Sequence, residues 1–290
     1  MRIVIGIDGS AASRTACELV ATRSWPVGSR VRLVAIVEPP APWIGLAAGN
    51  RDGTAAREDE LAVILDDRAD LLRRQGLTCE LVIEVGRPSE VLLSHAAEWF
   101  ADLVVVGSRR LGPAASAVLG SVSAYLVDHA PCPVLVARSP RIERMLLATD
   151  GSPSCLGIPR ELAAWRPAFR GVDVEVVSIV SGATSALREP EVVARRRVAD
   201  EMAGEMTELG WRAVALTRAG DPARGIVEAA ERWPADLIVT GSRGLGTLQR
   251  LVAGSVAHAV LLHTQASMLV MRGGVASAIP ARQRAAIAFS

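Results

Sequence analysis

The hydrophobic positions in the first half of the chain form runs of two kinds. Runs of four to eight residues rich in Val, Ile and Leu predict buried strands, because a parallel sheet is covered on both faces. Longer segments with an apolar residue every three or four positions predict amphipathic helices. The predicted strands are Arg2 to Asp8, Val31 to Val37, Cys79 to Val85, Leu103 to Val106 and Val134 to Ala137.

Helix signals lie between these strands. Ser10 or Ser13 can cap a first helix, and Gly76 closes the longest periodic segment. The stretch Pro39 to Thr54 is rich in Pro, Gly and Ala and predicts a loop. The predicted helices are about Ser10 to Ala21, Glu58 to Gln75, Pro88 to Trp99 and Ser121 to Asp128.

The second half of the chain repeats the first. RIVIGIDGS at Arg2 returns as RMLLATDGS at Arg144, an offset of 142, and ADLVVVGSRRLG at Ala101 returns as ADLIVTGSRGLG at Ala235, an offset of 134. The two halves of the chain are therefore two copies of one fold, and the front part of the second copy is eight residues shorter. This predicts domains at 1–138 and 144–272, followed by a C-terminal tail at 273–290 that is poorly ordered by default.

Strands that alternate with helices predict an α/β fold. Each copy should form a five-stranded parallel sheet with helices on both faces, because right-handed crossovers cover the sheet in this way. Ligands of such sheets bind at the carboxyl ends of the strands, where the winding reverses. Asp8 and Asp150 end the first strands and Gly107 and Gly241 follow the fourth, so one crevice is expected in each copy.

The stretch Ala235 to Ser255 predicts a phosphate-binding loop. An apolar run ends in Gly241, Gly244 follows, and Gly254 and Ser255 open the next helical segment. Glycines permit positive φ and close backbone approach, and a helix start offers free amides to an anion. The alternative is a Gly-rich connection between strand and helix that binds no ligand.

Composition excludes several classes of site. All 32 basic residues are Arg, balanced by 31 acidic ones, so Lys-dependent P-loops, Lys nucleophiles and a nucleic-acid footprint are not expected. The four cysteines are far apart and the histidines have no nucleophile elbow beside them, which favours structural thiols and no catalytic residue. The N-terminus reads as a strand and no apolar run is long enough to span a bilayer, which predicts a cytoplasmic protein without membrane contact.

With these motifs the chain resembles a tandem protein of the universal stress protein family, in its ATP-binding branch. The family's loop reads Gly, two residues, Gly, nine residues, Gly, then Ser or Thr. The second copy meets this pattern in full, and its GSRG and the APCPVLVAR at Ala130 to Arg138 are also typical. The resemblance implies two Rossmann-like domains of the adenine nucleotide alpha hydrolase-like type, which bind ATP with Mg²⁺.

The resemblance also implies roles for individual residues. Asp150 would contact the ribose or adenine, the backbone of Ile179 would hold the adenine, and the loop amides with Ser255 would hold the phosphates. In the first copy Arg110 replaces the second glycine. This copy therefore departs from the family's ATP-binding loop pattern, and the resemblance does not imply ATP binding there as it does for the second copy. The implied nucleotide-binding residues are Asp150, Ile179, Gly241, Gly244, Gly254 and Ser255 in the second copy, and Asp8, Ile36, Gly107, Gly120 and Ser121 in the first.

Three functions stay open on the sequence alone. The first is a nucleotide-dependent stress-response or signalling module, the second a slow ATPase or phosphotransferase, and the third a scaffold that has lost its ligand. The Asp-Gly-Ser segments also have two readings, a helix-capping turn and a nucleotide contact, which do not exclude each other. Pairing of the two last strands would give a pseudo-dimer within the chain, and a homodimer is a further expectation. The sequence names neither the stress nor a protein partner.

Overall fold

The computed structural model describes residues 1–39, 51–108, 120–181, 189–242 and 254–272. For residues 51–54 it describes the backbone alone. These residues fall into two compact units, which are described separately. Unit 1 contains Met1–Ala130 and Val134–Arg141, and unit 2 contains Pro131–Pro133 and the described residues from Ile142 on. Gly244, Arg110 and the predicted tail at 273–290 lie outside the described residues.

Unit 1 holds a five-stranded parallel sheet with the order β3-β2-β1-β4-β5. This is the strand order of a doubly wound, Rossmann-like sheet, as the alternation of strands and helices predicts. Its elements in chain order are β1 (Arg2–Ile7), α1 (Ala11–Ala21), β2 (Arg30–Val37), α2 (Arg51–Arg73), β3 (Thr78–Val85), α3 (Pro88–Glu98), β4 (Leu103–Gly107), α4 (Ser121–His129) and β5 (Val134–Ala137).

Unit 2 repeats this sheet with the order β8-β7-β6-β9-β10, again parallel throughout. The α/β fold class predicted for both copies is therefore confirmed. The elements are β6 (Arg144–Ala148), α5 (Pro153–Leu156), α6 (Ile158–Ala164), a 3₁₀ turn over Arg166–Phe169, β7 (Asp173–Val180), α7 (Glu189–Glu208), β8 (Arg212–Ala219), α8 (Pro222–Arg232), β9 (Leu237–Gly241), α9 (Ser255–His263) and β10 (Ser267–Met271).

Branched aliphatic side chains on the central strands form each core. Val104 and Val105 of β4 and Ile238 and Val239 of β9 are fully buried, as expected of strands covered on both faces. In unit 1, α1 packs against α2, and α3 packs against α4. Right-handed crossovers place such pairs on opposite faces of a sheet whose winding reverses between β1 and β4. The ligand crevice of this fold lies at that reversal, and its counterpart in unit 2 lies between β6 and β9.

Two elements differ from the sequence-based expectation. Helix α2 begins at Arg51, inside the stretch predicted to be a loop. Residues 55–60 are mostly exposed and carry no apolar period, so the hydrophobic pattern does not reveal the early start of this helix. The first helix of unit 2 is divided at Gly157, where α5 ends and α6 begins. Pro159 has no N–H to continue the helical hydrogen bonding, which accounts for the break.

None of the helices in the described part of the chain is long and apolar enough to cross a membrane. No disulfide joins the four cysteines, all of which are among the described residues: Cys17, Cys79, Cys132 and Cys155. Burial raises the pKa of the Cys17 thiol to about 12, so this side chain is a neutral core residue at physiological pH. Pairing between the last strands of the two copies stays a prediction.

Candidate functional site

A cavity of about 350 Å³ opens at the carboxyl ends of β6, β7 and β9 in unit 2. It lies where the winding of the sheet is predicted to reverse, and a parallel α/β sheet forms its ligand-binding crevice at such a point. Residues that are far apart in the chain meet there. The residues predicted for nucleotide binding that line the cavity are Asp150, Ile179, Gly241, Gly254 and Ser255.

The Asp-Gly-Ser segment after β6 forms a tight turn. The Asp150 Oδ1 accepts a hydrogen bond from the Ser152 N–H at 2.9 Å, and Gly151 has a φ of +74°, which favours glycine. Unit 1 builds the same turn, with the Asp8 Oδ1 accepting from the Ser10 N–H at 2.9 Å. The turn is therefore confirmed in both units, but only Ser10 also caps the following helix, since Ser152 makes no side-chain cap. Asp150 also lines the cavity.

The backbone of Ile179 points into the cavity because of its position in β7. The Val177 carbonyl accepts from the Thr149 N–H, on the side of β6. Residues two apart in a parallel strand direct their N–H and C=O groups to the same side. The N–H and C=O of Ile179 therefore also point to the β6 side of β7. They lie beyond Ala148, where the pairing of β6 with β7 ends. Its side chain is buried against Gly225 of α8, which leaves the backbone groups for a ligand.

The N-terminus of α9 forms another wall of the cavity. Gly254 is the N-cap and makes no side-chain cap, and Ser255, Val256 and Ala257 follow it along the cavity. The first amides of a helix have no intrahelical acceptor, and together with the helix dipole they attract an anion. The Gly254 N–H donates to the Ser242 carbonyl at 2.6 Å, which joins the two ends of the segment containing Gly244.

The conformation of Gly254 does not require glycine. Its φ of −60° and ψ of 144° are extended values that any residue adopts. A side chain at an N-cap normally accepts one of the free helical amides and stabilises the helix. The missing side chain therefore leaves these amides open to another acceptor, which is the arrangement that a phosphate group needs.

In unit 1 the predicted residues occupy the same places in the fold. Asp8 follows β1, Gly107 ends β4, and Gly120 and Ser121 begin α4. The Val37 carbonyl accepts from the Gly86 N–H on the β3 side, so the backbone of the preceding Ile36 faces the β1 side, like Ile179 in unit 2. Both units therefore present the same backbone framework.

Gly107 has a structural requirement that its sequence motif did not reveal. A Cβ at this position would overlap the carbonyl group of Ala12 and lie 2.7 Å from the Ser13 nitrogen, both in α1. These are backbone atoms, so they cannot move aside without shifting the helix. Gly107 thus permits close packing of strand against helix, one of the functions of glycine in nucleotide-binding folds.

The residues that line the cavity but that sequence reasoning did not assign to it include Arg195, Thr240 and Cys155. The Arg195 Nη1 donates to the Asp150 carbonyl oxygen. The Thr240 hydroxyl is buried and has no hydrogen-bond partner among the described residues. Burial raises the pKa of the Cys155 thiol, so it lines the cavity as a neutral group. The offset of 134 pairs Thr240 with Val106, and that difference could have identified it.

Comparisons with known proteins agree with this architecture. The model of the universal stress protein family matches the chain twice, over residues 1–138 and 141–272. Universal stress protein Rv2005c of Mycobacterium tuberculosis is 30% identical over 295 residues, which cover 93% of this chain and 96% of that protein. Universal stress protein Rv1996 of the same organism is 28% identical over 315 residues, with coverages of 96% and 97%. The solved structure of a universal stress protein from Archaeoglobus fulgidus shares the fold, with a TM-score of 0.71 at 18% identity, and covers 94% of this chain and 98% of its own.

Proposed function

We propose that this chain, which belongs to the universal stress protein family, binds ATP in its second unit and acts as a nucleotide-dependent stress-response or signalling module. One observation carries the proposal. The cavity of unit 2 brings together a strand-end carboxylate, strand backbone groups without a neighbouring strand, and a helix N-terminus without a side-chain cap. These groups match the ribose, the base and the phosphates of a nucleotide in their chemistry.

Each part of ATP has a counterpart in the cavity. The N–H and C=O of Ile179 suit the hydrogen-bonding edge of adenine, and the Asp150 carboxylate suits a ribose hydroxyl. The amides at the start of α9, with the Ser255 hydroxyl and the close approach that Gly241 permits, suit the phosphates. Gly244, outside the described residues, belongs to the same proposed loop.

Mg²⁺ is proposed to enter with ATP. Among the described residues no three His, Cys, Asp or Glu side chains lie close enough together to hold a metal ion. Mg²⁺ keeps several waters and binds nucleotide sites through the phosphates and one or two protein oxygens. The phosphate oxygens would therefore supply most of its ligands, and ATP would determine its position.

The test is calorimetric titration of the full chain with ATP, using Gly254→Glu as the site variant. A carboxylate at the N-cap is favourable for the helix but occupies the anion site, so the protein should fold and lose the nucleotide. Loss of a micromolar ligand removes about 8 kcal/mol of binding free energy, which calorimetry resolves easily. Unchanged ATP affinity in a folded Gly254→Glu protein would refute the site.

Gly120→Glu is the matched control, because Gly120 is the N-cap of α4 in unit 1 and also lacks a side-chain cap. We expect this variant to keep the strong site. Phosphate release measured on the same samples separates a binding module from a slow ATPase: multiple turnovers that disappear in Ser255→Ala would show hydrolysis at this site. Retention of nucleotide through gel filtration would exclude the ligand-free scaffold.

A further inference from the structure

Arg195 occupies a position where a buried apolar residue is expected. It continues a stripe of α7 formed by Ala199, Ala203 and Met206, all buried, at spacings of four, four and three residues. Such a stripe faces the core of an α/β domain. Arg195 therefore extends over the carboxyl end of the sheet, and it lines the cavity of unit 2.

The repeat shows which residue the fold itself would accept there. The offset of 134 that relates Gly76 to Gly210 also relates Leu61 to Arg195. Leu61 is fully buried and begins the equivalent stripe of α2. Apolar packing thus satisfies this position in unit 1, where the arginine that reaches the equivalent turn is Arg57, one helical turn earlier.

The guanidinium of Arg195 has N–H donors beyond the one that bonds Asp150. Its Nη1 bonds the Asp150 carbonyl, and none of the described carboxylates forms an ion pair with it. Arg57 of unit 1 makes the corresponding bond to the Asp8 carbonyl at 3.1 Å, but its Nη1 lies 2.5 Å from Glu60. A guanidinium carries five N–H donors and pairs well with phosphate. A phosphate in the cavity could accept hydrogen bonds from the remaining N–H groups of Arg195.

We propose that Arg195, which lines the same cavity as the N-terminus of α9, binds the phosphate chain of the nucleotide in unit 2 and so selects phosphorylated nucleotides over nucleosides. The inference rests on the proposed function, since it names a further contact in the same site. Arg195 is the cationic side chain among the described residues that line the cavity. The Asp150 carbonyl holds the guanidinium in place beforehand, which lowers the cost of ordering it on binding.

The experiment compares the affinities of the full chain for ATP and for adenosine by calorimetry. Arg195→Gln is the test variant and Arg195→Lys keeps the charge without the planar fork. Arg196→Gln is the matched control, with the same change of charge at the next position of α7, outside this cavity. A thermal melt of each variant checks that it is folded.

We expect Arg195→Gln to weaken ATP about tenfold to a hundredfold and adenosine less than about twofold, since charged hydrogen bonds to phosphate are strong. Arg195→Lys should recover part of the loss, and Arg196→Gln should bind like the wild type. Raising the salt concentration should weaken ATP more in the wild type than in Arg195→Gln.

Three results from the variants would overturn the proposal. Unchanged ATP affinity in Arg195→Gln would remove the contact, and equal losses for ATP and adenosine would assign Arg195 to the support of the Asp150 turn. An equal loss in Arg196→Gln would indicate general electrostatic attraction. If Arg195→Gln does not fold, the same comparison of ligands in Arg195→Lys decides between these roles. A wild-type chain that binds neither ligand would refute the proposed function itself, and this inference with it.

Discussion

At the scale of single residues, Thr240 carries a buried polar group for which the described residues supply no partner. Its hydroxyl is buried at the end of β9 without a partner among the described residues, in the wall of the cavity. An unpaired buried hydroxyl costs about 1–3 kcal/mol. Unit 1 has Val106 at the equivalent position and avoids this cost.

Thr240→Val should therefore stabilise the ligand-free protein by about 1 kcal/mol, because the methyl group removes the unpaired hydroxyl. The same change should weaken ATP if the hydroxyl bonds the nucleotide. Thermal unfolding with and without ATP measures both effects. Val106→Thr is the reciprocal control and should destabilise unit 1 without affecting the strong site. A Thr240→Val protein with the wild-type melting temperature would show that the hydroxyl is satisfied.

At the scale of the elements, Gly107 and Gly120 share one sequence motif but serve different purposes. Gly107 ends β4 against the backbone of α1, where a Cβ has no room. Gly120 caps α4 in an extended conformation, and among the described residues a Cβ there would meet only the Ser123 Oγ, at an ordinary 3.8 Å. The first glycine is required for packing, whereas the second is not required by the fold.

We expect Gly107→Ala to destabilise unit 1 by about 3 kcal/mol, because the added methyl group must push α1 away from the sheet. Gly120→Ala should cost about 1 kcal/mol or less, since alanine is only a poorer N-cap. Denaturant unfolding of the two variants gives the comparison. Equal stabilities would contradict the assignment of Gly107 to packing.

Much of the fold could be predicted from the sequence, because buried strands and amphipathic helices leave clear periodicities. β2 and α3 of unit 1 were placed to within a residue at each end. The start of α2 was wrong because an exposed helical turn has no hydrophobic period to detect. The division of the helix at Gly157 was not predicted, although Pro159 marks it in the sequence.

The candidate site was predictable only as far as a motif or a strand end identifies residues. The Asp-Gly-Ser turn and the glycines met at least one of these conditions, and those described in unit 2 lie together at the cavity. Arg195 met neither, since in the sequence it is one of three consecutive arginines on a charged helix. Its position depends on which face of α7 meets the sheet, and only tertiary packing decides that.

At the scale of the whole molecule, the two units share a framework but differ in the groups that would hold a nucleotide. Unit 2 has Arg195 and Thr240 where unit 1 has Leu61 and Val106, and both differences remove a polar group from unit 1. Unit 1 also has Arg110 in place of the second loop glycine, outside the described residues. We therefore expect the two copies to bind nucleotide unequally.

Titration of the full chain should accordingly show one strong ATP site, in unit 2. A non-glycine residue at position 110 costs about 1–3 kcal/mol if the loop requires positive φ there, which is about one to two decades of affinity. An inward-pointing guanidinium could return part of that cost through the phosphates, but we expect weakening, because a shifted loop withdraws its other amides. Arg110→Gly should then tighten or add a second site. That site should remain weaker than the first, because the Arg57 guanidinium is paired with Glu60 and Val106 supplies no polar contact. Two equal sites in the wild type, unaffected by Arg110→Gly, would show that none of these three differences controls binding.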